Sequence, residues 1–195
     1  MHHRIPLLLG LALLLSSCAF KDRDSLIRVS VADQKMLVFK KGVPVATYDV
    51  STSKFGLGDG RGSRFTPLGR LEVAKKVGRG APIGMKFKSR RPTGEIVAID
   101  APGRDPIVTR ILWLKGLEPQ NRNAYRRTIY IHGTAEERTI GKPASYGCIR
   151  MRSRDVVQLF DLVGEGARVE IIKDPLPVAM ASNTPPGRSE PSPRQ

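Results

Sequence analysis

Cysteine and histidine are scarce in this 195-residue chain, which has two of the first and three of the second. Cys18, His2 and His3 all fall near the start, so everything after Cys18 holds one cysteine, Cys148, and one histidine, His132. A structural zinc site normally needs about four Cys or His ligands, so this stretch excludes one. Acidic side chains are also few, 18 against 33 Lys and Arg, which leaves a formal net charge of +15. Aromatic residues make up 6% of the chain, and the basic residues do not gather into one motif with aromatics between them. That argues against a nucleic-acid reader. There is no internal repeat. The apolar run Leu7–Leu15 is too short to span a bilayer comfortably, and has the length of a signal-peptide core.

His2, His3 and Arg4 give that run a short, weakly basic start, and Leu15-Ser16-Ser17-Cys18 follows it. This resembles a bacterial lipobox, in which the cysteine is lipidated and becomes the first residue of the mature protein. The alternative is an ordinary secretory signal with an incidental cysteine. No Asp follows Cys18 directly, and by resemblance to Gram-negative lipoproteins that points to the outer membrane, on the periplasmic side. The expected organisation is a lipoprotein signal peptide over 1–17, a tether over 18–25, one domain over 26–173 and a Pro-rich tail over 174–195. The tail is expected to be disordered, because it cannot bury enough apolar surface to offset its ordering entropy. Loss of residues 1–17 removes one charged side chain, Arg4, and leaves +14. Such a charge suits membrane lipids or cell-wall polymers, or serves solubility, and export makes nucleic acid the poorest fit. Exported proteins usually pair their cysteines; with Cys18 capped by lipid, Cys148 stands out as a reactive candidate.

Between the tails the pattern is mainly β. Leu26 to Val31 alternates, with Ile27, Val29 and Val31 on one face. Met36 to Lys40, Val43 to Ser51, Leu71 to Val77, Glu95 to Ala101, Ile107 to Leu114, Thr128 to His132 and Arg168 to Ile172 read as further strands. Short strands divided by Gly and Pro predict a sandwich or barrel. One helix follows Cys148. Ser153 is its expected cap, Val156, Leu159, Phe160 and Val163 share one face, and Gly164 and Gly166 end it. Gly56 to Phe65 and Arg79 to Arg91 read as loops, either lids or polar surface segments.

A thiol is mostly protonated near neutral pH, and a neighbouring imidazole can take its proton so that the sulfur attacks a carbonyl. His132 ends an apolar run, a rigid mount at a sheet rim. Around Cys148, the amides of Tyr146, Gly147 and Cys148 can point at a developing oxyanion, and Arg150 can bind a carboxylate or hold a loop. The bland reading is a buried cysteine and a satisfied histidine.

His132-Gly133, then Ser145-Tyr146-Gly147-Cys148-Ile149-Arg150, resembles the L,D-transpeptidase (YkuD-type) catalytic domain. Thr66-Pro67-Leu68-Gly69 resembles that family's TP-x-G turn, and the likeness extends over about residues 26 to 173. The resemblance implies an L,D-transpeptidase-type β-sandwich or barrel, Cys148 as nucleophile, His132 as general base, and the Gly133 carbonyl orienting the imidazole. Ser145, Tyr146, Gly147 and Arg150 would shape the oxyanion and substrate site. It implies a peptidoglycan stem peptide as acyl donor, an amine or water as acceptor, acylation of Cys148 by carbapenems, and no metal or organic cofactor. The expected partners are peptidoglycan and, through Cys18, a membrane; the chain is expected to act as a monomer. One departure is Tyr146, where many members have histidine. Two rivals are a wall-binding lipoprotein that has lost turnover and an exported cysteine peptidase acting on proteins.

Overall fold

The computed structural model describes residues 21–177 apart from Arg104. The expected signal peptide, Cys18 and most of the Pro-rich tail lie outside the described residues. Alternating apolar residues with turns between them give an antiparallel meander of β1 (Ser25–Ser30), β2 (Lys35–Lys40) and β3 (Val43–Asp49). Further along the chain come β4 (Gly69–Val77), β5 (Met85–Lys88), β6 (Arg91–Ile96), β7 (Ile107–Gly116), β8 (Tyr130–Thr134), β9 (Ile149–Met151), α1 (Ser153–Leu162) and β10 (Arg168–Ile172). The hydrogen-bonded order is β3-β2-β1-β10-β4-β7-β5-β6, with β8 on β7 and β9 on β8. The result is mainly β, a curled half-barrel sheet with one helix. Among the described residues, no helix is long and apolar enough to cross a membrane.

The sheet branches at β7. Its first residues pair with β5, its later ones with β4, and β8 runs along it in register with both halves. A bulge permits this. Thr109 and Arg110 have no partner between Val108, opposite Gly133, and Ile111, opposite His132. Thr109 sits at φ 71°, uncommon for a β-branched residue, and its hydroxyl donates to Ser153 Oγ at 2.8 Å. Strain of this kind concentrates where a structure must aim a side chain, and here the strand beside it carries His132.

One face of the sheet packs against α1. Ile27, Val29, Leu71, Val73, Leu112, Leu114, Ile131, Ile149, Met151 and Val169 meet Val156, Leu159 and Phe160 there. Burying each of these three helix side chains contributes roughly 1.5–3 kcal/mol. Ser153 does not cap the helix. It is the first helical residue, and its N–H donates to Glu137 Oε1 at 2.8 Å, so a carboxylate from a short 3-10 turn (Glu137–Thr139) satisfies the helix start instead. At the other end, Lys76 Nζ donates to the Phe160 and Val163 carbonyls at 2.5 and 2.6 Å.

Three assignments change. Arg79 to Arg91 is not one loop, since it holds β5 and a tight turn in which Ser89 and Arg90 both have positive φ. The strand expected over Glu95 to Ala101 lies earlier, as β6, and every residue of β6 is exposed. With no apolar alternation, hydrophobicity could not mark it. The strand expected to end at His132 begins later, because Thr128 at φ 57° breaks it, and so His132 sits mid-strand.

Candidate active site

The parallel register between β8 and β9 pairs Ile131 with Ile149 and His132 with Arg150. Side chains alternate along strands, so Ile131, Ile149 and Met151 point into the main core. His132 and Arg150 point to the other face. Cys148, one residue before β9, continues that alternation and lies diagonally across from His132. It packs there beside Phe87, Ile111 and Tyr130. His132 is buried, Cys148 is half-buried, and Cys148 is a free thiol.

Gly133 is opposite Val108 across the β7 bulge. A Cβ on Gly133 would stand 2.7 Å from the Val108 carbonyl oxygen, so β8 can lie this close to β7 only with glycine there. The Gly133 carbonyl is 2.9 Å from His132 Nδ1. A carbonyl only accepts, so the proton is on Nδ1 and Nε2 is left with its lone pair.

The cysteine turn is held from within and from outside. The Ser145 hydroxyl, fully buried, donates to the Cys148 carbonyl at 2.5 Å and accepts the Gly147 N–H at 3.1 Å. Ser145 therefore shapes the turn. The Gly147 amide is already engaged, so it is not aimed at an oxyanion in this state. The amides of Tyr146 and Cys148 make no hydrogen bond among the described residues. Gly147 has φ 118°, and a Cβ there would meet the Phe65 carbonyl oxygen at 3.1 Å. The loop from Gly56 to Phe65 is thus a wall of the site. Arg127 fixes it, donating to the carbonyls of Gly58, Ser63 and Phe65 and pairing with buried Asp59 at 2.7 Å.

Tyr146 projects outward, 53% exposed, with its ring 5.3 Å from that of Phe55 and the cations of Lys54 and Arg64 over both rings. Tyr146, Lys54 and Arg64, with Arg150, Asp105 and Glu136, border a cavity of about 740 Å³. Arg150 itself is buried. Its Nε lies 2.9 Å from Asp105 Oδ2 and its Nη1 3.3 Å from Glu136 Oε2. Asp105 Oδ1 also accepts the Thr134 hydroxyl at 2.5 Å and the Ala135 N–H at 3.1 Å. Of the two roles read for Arg150, this geometry favours holding loops together over binding a substrate carboxylate. Sequence reasoning missed Asp105 entirely. It lies in the sequence Pro-Gly-Arg-Asp-Pro, and nothing local marks it.

Burial dominates the electrostatics of both candidate groups. It lowers the His132 imidazole below its ordinary value, against the Gly133 hydrogen bond and Asp105, which favour the cation; Arg150 opposes it. Burial pushes the Cys148 thiol up to about 11, although the Tyr130 backbone N–H, Arg150 and Arg127 favour the thiolate. Both groups are therefore neutral near pH 7. The Cys148 thiol donates to the Thr128 carbonyl at 3.6 Å. Among the described residues, no group of three His, Cys, Asp or Glu side chains is placed to hold a metal ion.

Comparison with known proteins agrees with this architecture. The L,D-transpeptidase catalytic domain (YkuD) family model matches residues 24–171. YkuD of Bacillus subtilis (strain 168) is 34% identical over 102 residues, covering 52% of this chain and 57% of its own. "Probable L,D-transpeptidase YcfS" of Escherichia coli (strain K12) is 28% identical over 163 residues, covering 80% of this chain and 47% of its own. The chain thus spans about half the length of these curated relatives. L,D-transpeptidase 3 from Mycobacterium tuberculosis, solved with a faropenem-derived adduct, has the same fold at a TM-score of 0.52 and 15% identity, covering 77% of this chain and 60% of its own. With its fold matched and the family model spanning most of its length, the chain belongs to the L,D-transpeptidase (YkuD) catalytic domain family.

Proposed function

We propose that this domain transfers an acyl group from a peptidoglycan stem peptide through a thioester on Cys148. One observation carries the reading: His132 and Cys148 share a sheet face, and the Gly133 carbonyl leaves the imidazole Nε2 free to accept a proton. Cys148 Sγ attacks the carbonyl after the third stem residue and gives its proton to His132 Nε2. The amides of Tyr146 and Cys148 are free to donate to the oxyanion. The peptide bond breaks, and the departing D-alanine amine takes the proton back from the imidazolium. An acceptor amine then loses a proton to His132 and attacks the thioester, which frees Cys148. The acceptor is a second stem, a lipoprotein lysine or a free D-amino acid, and water would make the reaction a carboxypeptidation. Because both groups start neutral, proton transfer accompanies attack rather than preceding it.

The reading extends to an exported protein, anchored by lipid at Cys18 and acting as a monomer on the periplasmic side of the envelope. Two further points come with it. Carbapenems, as acyl-donor mimics, acylate Cys148; the faropenem-derived adduct on the mycobacterial relative is consistent with such chemistry. Tyr146, exposed beside Lys54 and Arg64, forms the substrate-facing wall in place of the usual histidine.

One observation favours the rival reading of a wall-binding protein without turnover, namely the thiol pushed up to about 11. Digestion of purified muropeptides separates the two. The wild type yields crosslinked, trimmed or D-amino-acid-exchanged products, each naming an acceptor, and Cys148→Ala yields none. Retention of muropeptides without products from either protein would favour the rival.

A further inference from the structure

We propose that a second surface, built from Lys21, Arg61, Lys115, Arg122 and Arg126, docks the domain onto the anionic headgroups of a phospholipid bilayer. Two open cavities meet there. One, of about 580 Å³, is bordered by Lys21, Lys115, Arg122 and Arg126, and the other, of about 440 Å³, by Arg61, Arg122, Asn123 and Arg126. They share Arg122 and Arg126, so the surface is continuous. Arg61, Arg122 and Arg126 are exposed and have no ion pair or hydrogen bond among the described residues.

The nearby carboxylates do not neutralise this face. Asp59, on the same loop as Arg61, turns inward to Arg127 at 2.7 Å and accepts the Asn123 N–H at 2.6 Å. Glu72 and Glu165 border the first cavity; Glu72 lies 3.6 Å from Lys115, and Glu165 accepts the Lys76 N–H at 3.0 Å. Five cations therefore face two carboxylates. Three unpaired guanidinium groups in one concavity are poised for phosphate oxygens, which a planar donor fork fits well.

Position selects the bilayer as the source of those phosphates. Lys21 borders the first cavity and stands three residues after Cys18, the expected lipid attachment point. Three residues span at most about 11 Å, so an anchor at Cys18 would hold this face next to the headgroup layer. The anionic surface potential acts over a comparable range.

The test uses the chain from residue 18 onward, the expected mature form, carrying Cys18→Ala, so that neither the apolar run Leu7–Leu15 nor an acyl chain contributes. Flotation is measured with neutral phosphatidylcholine vesicles and with vesicles containing one-third phosphatidylglycerol. Binding to the anionic vesicles only, weakened by salt, is expected. Arg122→Ala should weaken it about fivefold, and Arg61→Ala/Arg122→Ala/Arg126→Ala together about a hundredfold. A control that removes the same charge elsewhere, Lys88→Ala/Arg154→Ala/Lys173→Ala, should weaken it much less. Melting temperature and far-ultraviolet circular dichroism of both triple variants, unchanged from the parent, show that each is folded. Equal losses in the two triples would overturn the proposal in favour of diffuse charge. So would an absence of anionic-vesicle binding, or a triple variant that loses binding to isolated cell wall while keeping the vesicles.

Discussion

Asp105 was invisible in the sequence, and its removal tests the site's framework most sharply. Arg150 and Asp105 meet at 2.9 Å with side chains only 6% and 5% exposed. Asp105→Asn keeps the shape and can still accept the Thr134 hydroxyl, but it leaves the guanidinium without its buried counter-charge. Breaking such a pair from one side typically costs about 3–5 kcal/mol. Glu136, at 3.3 Å and partly exposed, retains some of the balance. The expected loss is therefore about 2–3 kcal/mol. For a domain of this size that lowers the melting temperature by roughly 5–10 °C. A structural effect alone would stop there. Asp105 also favours the protonated form of His132, while Arg150 disfavours it, so Asp105→Asn should shift the acid limb of carbapenem acylation to lower pH. The assay pairs a thermal melt with acylation rates across pH, and adds Arg150→Gln and the double variant. The double variant should be less destabilised than the sum of the singles. A melt within about 1 °C of wild type, or strict additivity in the cycle, would refute the coupling.

Gly133→Ala places a Cβ 2.7 Å from the Val108 carbonyl and must push β8 off β7, carrying the His132 partner carbonyl with it; acylation should fall by at least about tenfold, read by stopped-flow quenching. On the acid side, acylation needs the neutral imidazole, so its rate falls as pH drops through the lowered His132 value, with a midpoint below about 6.5, and is flat between pH 7 and 8. Iodoacetamide alkylation of Cys148 follows the thiolate instead, and should keep climbing towards pH 11; a plateau near neutrality would mean a preformed ion pair. Asp22 ties the segment before β1 to the helix end: burial raises its carboxyl, but the Ser25 hydroxyl and the Gly164 and Ser25 amides outweigh that and hold it at about 2. Its folded value is depressed, so its stabilisation is present above about pH 4 and is lost as pH falls through 2. Asp22→Asn should cost about 1–2 kcal/mol at neutral pH, discounted for partial exposure, with the gap to wild type closing towards pH 2 in urea titrations.

Much of this was legible because rarity marks residues. His132 and Cys148 are the single examples of their type after Cys18, and the glycines beside them sit where the backbone has no room for a side chain. The meander from β1 to β3 and the helical face of Val156, Leu159 and Phe160 were equally readable, since burial imposes a period on them. What escaped has a common cause. Asp105 reaches Arg150 across 45 positions, and Glu137 satisfies the helix start in place of Ser153; neither contact leaves a local pattern. The exposed strand β6 carries no hydrophobic period, so the strand was read too late, over Glu95 to Ala101. The Gly147 amide was read as an oxyanion donor because spacing cannot show that the Ser145 hydroxyl occupies it.

The most direct test of the central claim, that Cys148 carries the acyl group and His132 activates it, is the intact mass of the protein after incubation with a carbapenem. The account predicts a single adduct on wild type, none on Cys148→Ala, and formation slowed by about a hundredfold or more in His132→Ala. No adduct on wild type, or an equal adduct on Cys148→Ala, would contradict it.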